Sequence, residues 1–354
     1  MGANATAGTR PAEHADPALA YYERARRAFA GACATTGCVE HGLGIAGTAV
    51  RLRFAGRALA SAVLPSLSPL LCPTPLRPDF EVELWDAAST GVTIPDPPWR
   101  RRDVLARGDV RGLGERVRAQ MDSGNELLTL WDARERRGIM WAGDADRLPY
   151  WTRCDPLRTI LHWGLAGDGR HLIHAAAVGG EAAGALLVGP SGSGKSTTSL
   201  ACLRDGLGYV ADDYVLAESA PSPRAVALYG MANVSATSLR LLPELAPACV
   251  PMEAPKFALD VARVRPDAVR SAVPISAIIL PRVSAGRLAF RPATAAQALR
   301  ALAPSTILQH AEESDNAMAV ISALVRQVPA YALDLGSDIA AVPPAIREIL
   351  DASA

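Results

Sequence analysis

The sequence predicts an α/β fold in its second half, preceded by a smaller α+β N-terminal domain. Three observations predict it. After Trp163 the chain runs through near-continuous apolar stretches separated by helical ones, the pattern of a parallel sheet covered on both faces. Before residue 150 the strands alternate apolar and charged residues instead, as half-buried strands do. Between two apolar stretches of the second half, a glycine-rich segment joins a strand to a helix.

The chain has 354 residues, room for about two domains of roughly 100–200 residues each. With 49% hydrophobic and 20% charged residues it is neither disordered nor a mini-protein, and 36 basic residues against 36 acidic ones leave no excess charge to grip nucleic acid. No apolar stretch approaches the roughly 20 residues that cross a bilayer. Neither nucleic acid nor membrane is therefore an expected partner, whereas a homo-oligomer stays open. Six scattered cysteines form no CxxC pair, which reads as free buried thiols and disfavours zinc. Met1 to Arg10 carry no signal-peptide pattern, so the expected compartment is the cytoplasm.

Residues 1–15 are small and polar and read as a flexible tail. Asp16-Pro17 is a helix start, with Leu19, Tyr22, Phe29 and Cys33 on one face and an end near Gly37. Val50, Leu52 and Phe54 alternate with Arg51 and Arg53, and Phe80, Val82 and Leu84 with Glu81 and Glu83, so both are strands. A proline-rich loop separates them. Arg100-Arg101-Arg102 reads as a solvated helix start rather than a phosphate site. Leu127 to Asp132 and Gly138 to Ala142 are expected to form a hairpin that shows Trp131 and Trp141 to a substrate. This accessory, substrate-presenting domain is expected over 16–150, and the domain over 151–354 opens with a helix of Leu157, Ile160, Leu161 and Trp163. The apolar runs that follow are Leu172 to Val178, Ala185 to Val188, Tyr209 to Ala211, Val226 to Tyr229 and Ile275 to Leu280.

Gly189-Pro190-Ser191-Gly192-Ser193-Gly194-Lys195-Ser196 fits GxxxxGK[ST] at every fixed position, after an apolar strand and ahead of a helix from Thr197 to Arg204. Glycines let the backbone turn its N–H groups onto phosphate oxygens, and the helix N-terminus adds partial positive charge. Lys195 is expected on the β- and γ-phosphates and the Ser196 hydroxyl on magnesium, with Thr197 beside them. The apolar strand Tyr209 to Ala211 closes with Asp212-Asp213, an arrangement in which one carboxylate holds the metal and the other takes a proton. A capping role for Asp213, or a strand that merely ends in solvent, stays open. His174 stands 21 residues before Lys195 in the run Leu172 to Val178.

His174, the loop Gly189 to Ser196 and the pair Asp212-Asp213 together resemble the catalytic domain of HPr kinase/phosphorylase. They are also similar to the HPr-kinase-like enzymes encoded with lasso and other modified-peptide gene clusters. The resemblance covers about residues 165 to 220 and implies an HPr-kinase/PEP-carboxykinase-like fold with ATP and Mg2+ as cofactors. It implies that His174, Lys195 and Asp213 are catalytic, with Asp213 taking the proton of a substrate serine, and that Ser196 and Asp212 hold metal. Arg282 after the run Ile275 to Leu280 is the best-placed counterpart of the family's later arginine. A second metal carboxylate has no clear match, with Glu218 and Glu244 as weak candidates, and the first 150 residues do not match the family's N-terminal domain.

The function expected is a Mg/ATP-dependent kinase phosphorylating a serine hydroxyl of a peptide or small protein. A small-molecule kinase and a nucleotide-gated regulatory module without an acceptor are the alternatives. Of the 36 basic residues 34 are Arg, and only Lys195 and Lys256 are Lys. Where Arg is the default, a Lys marks a place that a planar guanidinium does not fit. That makes Lys256 a candidate for approaching the nucleotide.

Overall fold

The computed structural model describes residues 16–167, 169–252, 256–307 and 314–353; the tail expected over residues 1–15 lies outside them. The fold is mixed α/β with several sheets. Among the described residues no helix is long and apolar enough to cross a membrane.

The first sheet is seven-stranded, in the order β3-β1-β2-β4-β7-β6-β5. Its strands are β1 (Cys38–Ile45), β2 (Thr48–Ala55), β3 (Leu71–Cys72), β4 (Phe80–Asp86), β5 (Val117–Asp122), β6 (Leu127–Asp132) and β7 (Arg137–Ala142). The helix before it, Pro17–Thr36, starts where Asp16 Oδ1 accepts the N–H of Ala18 at 2.9 Å and ends at Gly37, as its caps dictate. β1 is not expected from the sequence, because two glycines blur its alternation. It forms through a two-residue turn, Ala46-Gly47, both at positive φ as a tight hairpin requires. The expected hairpin β6–β7 forms, its second strand starting one residue early so that Asp132 faces Arg137.

This sheet is covered on both faces, so the alternation in its strands does not separate core from solvent. On one face Leu52, Phe54, Val82 and Leu84 pack against the helices Ala58–Leu67 and Arg158–Leu165. On the other, Trp85, Leu130 and Ile139 pack against Tyr21, Tyr22 and Phe29 of Pro17–Thr36. Two expectations change as a result. Trp131 is not displayed to a substrate: it is 2% exposed and meets Phe80 edge to face at 5.6 Å, and Trp141 is half-buried. Glu83 lies under the helix, 3.5 Å from Arg26 and 3.3 Å from Arg53. Burial raises its carboxyl above the usual range although Arg26, Arg137 and Arg53 pull it down.

In the second half, a six-stranded sheet in the order β11-β9-β10-β18-β20-β19 comprises β9 (Ala176–Gly179), β10 (Gly184–Leu187), β11 (Tyr209–Ala211), β18 (Ala277–Arg282), β19 (Ala289–Ala293) and β20 (Ala330–Asp334). Helices cover both faces, as expected. Ala298, Leu302, Ile321 and Leu324 meet Leu186 and Ile278 on one side; Cys202, Ile346 and Ile349 meet Leu187 and Ile279 on the other. The sheet is not uniformly parallel, however. β10–β18 and β18–β20 run parallel, while β9–β10, β9–β11 and β19–β20 are antiparallel, because the chain reverses without a helical crossover between β9 and β10 and between β18 and β19. Leu186 is fully buried in the middle of this sheet. Leu186→Ala is expected to cost about 2–5 kcal/mol of unfolding free energy, read from chemical denaturation.

A four-stranded sheet in the order β17-β13-β12-β8 is formed by β8 (Arg170–Ile173), β12 (Val215–Glu218), β13 (Arg224–Val226) and β17 (Ala272–Pro274). A smaller one contains β14 (Met231–Ser235), β15 (Cys249–Pro251) and β16 (Lys256–Asp260). The apolar run Leu172 to Val178 is thus two strands rather than one. β8 pairs with β12 in the four-stranded sheet and β9 with β11 in the six-stranded one. The chain switches sheets twice at the same level, once at 174–175 and once at 212–214. Those two switch points lie side by side, with Ile173 facing Val215 below them and Ala177 facing Ala211 above. One core cluster joins Leu52 and Phe80 of the first sheet to Leu216 and Leu228 of the second half, so apolar packing continues across residue 150.

Candidate functional site

The paired sheet switch is what creates the site. His174 is in the bend after β8 rather than on a strand, and Asp212, Asp213 and Tyr214 occupy the matching break between β11 and β12. Backbone at such breaks has no ladder partner to align with, which frees the side chains to converge. His174 Nε2 lies 2.6 Å from Asp213 Oδ1, and the His174 ring stacks on Tyr214 with centroids 5.2 Å apart. The Arg158 guanidinium also lies over Tyr214, 4.7 Å from the ring centroid.

The loop Gly189 to Gly194 leaves β10 and delivers the helix Lys195–Arg204. Gly189, Gly192 and Gly194 all have positive φ, at 150°, 81° and 105°, and a side chain at Gly194 would run into Leu335. Lys195 is buried. Its Nζ donates to Gly189 O at 2.8 Å and lies 3.4 Å from Pro190 O, folding the ammonium over its own loop. Burial lowers the Lys195 pKa, opposed by the charges of Asp213 and Asp212, so the cation and the acid pair share one electrostatic neighbourhood. Thr197 Oγ1 is 2.9 Å from Ser238 Oγ, which ties the first helical turn to the short helix Ala236–Leu241 that follows β14. Ser196 is half-buried at the same turn, and Ser191 is exposed at the loop tip.

The two carboxylates are differentiated. Asp212 is 4% exposed; its Oδ1 accepts from Tyr209 OH at 3.2 Å and its Oδ2 from Asn233 N–H at 3.1 Å. Burial, then the charge of Asp213, pushes it up to about 7. Asp213, half-buried, moves the other way. Burial alone would raise it, but the His174 contact and the charges of Arg158 and Lys195 outweigh that and hold it below the usual carboxylate range. The pair is therefore split into one acid that gives up its proton readily and one that holds it into the neutral range.

A third acid, Asp155, is buried beside them and held well above the usual range by burial and by both neighbours. Asn233 Nδ2 reaches its Oδ2 at 3.5 Å, whereas Asn233 Oδ1 is buried without a partner, as is Ser193 Oγ in the loop. Sequence reasoning passes over Asp155, Arg158, Tyr214 and Asn233. The one available signal is an acid and a base flanking Pro156 at the start of an apolar helix.

A raised carboxyl costs stability once it must ionise. Asp212 binds its proton more tightly folded than unfolded, so its contribution is fully present below the ordinary carboxylate range, near pH 4, and is lost as the pH climbs to about 7. In metal-free buffer, Asp212→Asn is expected to narrow the drop in unfolding temperature between pH 5 and pH 8, measured by scanning calorimetry. An unchanged drop contradicts the burial of a shifted Asp212.

The oxygen donors fit magnesium in kind. Ser196 offers a hydroxyl, Asp212 and Asp213 carboxylates, and Asn233 an unpartnered buried carbonyl, a set suited to a hard cation. Among the described residues no group of three or more His, Cys, Asp or Glu is placed to hold a metal by itself.

The remaining sequence candidates lie farther out. Arg282 is at the end of β18, the neighbour of β10, but it is largely exposed and pairs with Asp334 at 2.8 Å. Lys256 begins β16 and stands over the Tyr150 ring at 5.6 Å. Among the described residues neither hydrogen-bonds to the loop. Glu218 and Glu244 face Arg224 and Arg204 and are not drawn into the acid cluster.

No protein-family model matches the chain, and no curated protein matches it. Among solved structures it is similar to the Hpr(Ser) kinase/phosphatase from Coxiella burnetii, at 15% identity and a TM-score of 0.30, covering 51% of this chain and 90% of that one. A TM-score at that level is too low to assign a fold.

Proposed function

We propose that the protein is a magnesium- and ATP-dependent phosphotransferase acting on a serine hydroxyl of a peptide or small protein. The observation that carries this reading is the 2.6 Å contact between Asp213 and His174, set within the field of Lys195 at the end of a glycine-rich loop. The acceptor class rests on the resemblance of the motif series to serine kinases of the HPr type.

In this reading the N–H groups from Gly189 to Ser196 and the Lys195 ammonium hold the phosphates. Magnesium, held by Ser196 and Asp212, supplies charge neutralisation on the phosphate oxygens when bound. His174 fixes the orientation of the Asp213 carboxylate. As the serine oxygen bonds to the γ-phosphorus, its proton passes to Asp213 and the bond to the β-γ bridging oxygen breaks, leaving with its electron pair on ADP. Residues before 150 present the acceptor. Lys256 stands over Tyr150 and Arg282 pairs with Asp334, and neither is assigned a role in the step.

The test is incubation with γ-labelled ATP, magnesium and a mixture of serine peptides, with an alanine-for-serine mixture as the control. Label in the serine peptides alone is expected. Slow phosphate release with no labelled acceptor favours the nucleotide-gated module, and label in free serine or a sugar favours a small-molecule kinase.

A further inference from the structure

A cavity of about 600 Å3 lies between the segment 101–123 and Arg158 and Tyr214, and an adjoining one of about 170 Å3 reaches Asp155. They share Arg107, Gln120, Asp122 and Arg158 as walls, so together they form one trough. A trough of this size has room for a few residues of an extended peptide, as it has for a drug-sized ligand. One wall is the segment 101–108 with the edge strand β5; the other is Arg158 and Tyr214.

The larger cavity is lined by three arginines, Arg101, Arg107 and Arg158, against one acid, Asp122. That acid is already engaged: Oδ1 accepts from the N–H groups of Gly124 and Asn125 at 3.1 and 3.2 Å, and Oδ2 from Asn125 Nδ2 at 2.7 Å. Arg101 and Arg107 are exposed and, among the described residues, have no carboxylate partner. Arg158 Nε is buried without a hydrogen-bond partner. Of these lining residues, Tyr214 stacks its ring on His174, whose Nε2 is 2.6 Å from the Asp213 carboxylate.

From this charge arrangement we infer that the trough is the acceptor site and selects an acidic peptide segment, with Asp or Glu side chains flanking the serine and paired to Arg101 and Arg107. The inference rests on the proposed phosphotransfer for the fate of the serine, but not for the charge preference. Arginine suits this task because its planar fork takes a carboxylate with two hydrogen bonds.

The test is fluorescence anisotropy with two labelled peptides, each with one serine, flanked on both sides by glutamates in the first and by lysines in the second. Nucleotide is omitted, so the outcome does not depend on what the loop does with ATP. The glutamate peptide is expected to bind about tenfold more tightly, an advantage that weakens in high salt. Arg101→Glu together with Arg107→Glu is expected to abolish or reverse it, with an unchanged unfolding temperature showing that the fold is intact; Arg107→Gln repeats the test with a smaller change. Equal binding of both peptides, tighter binding of the lysine peptide, no binding of either, or a glutamate preference that survives charge reversal overturns the inference. A glutamate preference without any phosphoryl transfer supports the trough and counts against the proposed function alone.

Discussion

Asp213→Asn is expected to slow phosphoryl transfer to a serine peptide by about 10²–10⁴-fold while leaving ATP binding intact. The substitution is nearly isosteric, so an Asn side-chain oxygen still meets His174 where the carboxylate oxygen stands at 2.6 Å. What it removes is the capacity to take a proton. The sign of the effect on pH dependence follows from the same environment. His174, Arg158 and Lys195 outweigh the burial that would raise the Asp213 carboxyl, and hold it below the usual carboxylate range. The ionised form is then present throughout the neutral range, and activity that depends on it falls only as the pH drops through that low value. Single-turnover rates across pH, with thermal shift by ATP as the binding control, check both parts. A variant that transfers at the wild-type rate contradicts the role of Asp213, and one that loses the ATP shift shows a structural defect instead.

Loss of Lys195 is expected to act on binding first. At ATP about a hundredfold above its dissociation constant, a bound ligand stabilises the folded protein by about 2.7 kcal/mol, and Lys195→Ala is expected to lose nearly all of that. The reason is the position of the ammonium. It is buried inside the turn of the loop, donates to Gly189 O at 2.8 Å, and shares its field with Asp212 and Asp213. A small cation can exchange loop carbonyls for phosphate oxygens there; a planar guanidinium is too wide. Lys195→Arg is therefore expected to fail almost as completely, despite preserving charge. Thermal unfolding with and without ATP and magnesium reads the effect. Retention of the full shift in either variant contradicts the assignment of the loop as the phosphate site.

The loop and the acid pair are legible in the sequence because their chemistry is local: eight consecutive residues set the turn, and a short apolar strand ending in Asp212-Asp213 sets the acids. His174 is legible only through the spacing of the motif series. Its position in a bend is hidden, since Leu172 to Val178 is apolar apart from His174 itself and carries no glycine or proline to mark the break. The break exists because the flanking strands belong to different sheets, a long-range fact. Asp155 and Asn233 are hidden for the same reason, lying 78 residues apart in the chain and meeting only in the fold. Trp131 misleads in the opposite direction: a sheet covered on both faces buries residues that alternation assigns to solvent. The motif marks Lys195, and the scarcity of lysine adds only Lys256, which pairs with Ser235 in the small sheet and stands over the Tyr150 ring.

The central claim is that Lys195 and Asp213 serve one transfer reaction from ATP to a serine oxygen. The most direct measurement follows the γ-phosphate label of ATP in the wild-type protein, Asp213→Asn and Lys195→Ala side by side, partitioned among ATP, free phosphate and phosphoserine in an added peptide. The account predicts phosphoserine with the wild type and almost none with either variant, Asp213→Asn still binding ATP. Label that reaches only free phosphate in the wild type, or phosphoserine formed equally well without Asp213, would contradict it.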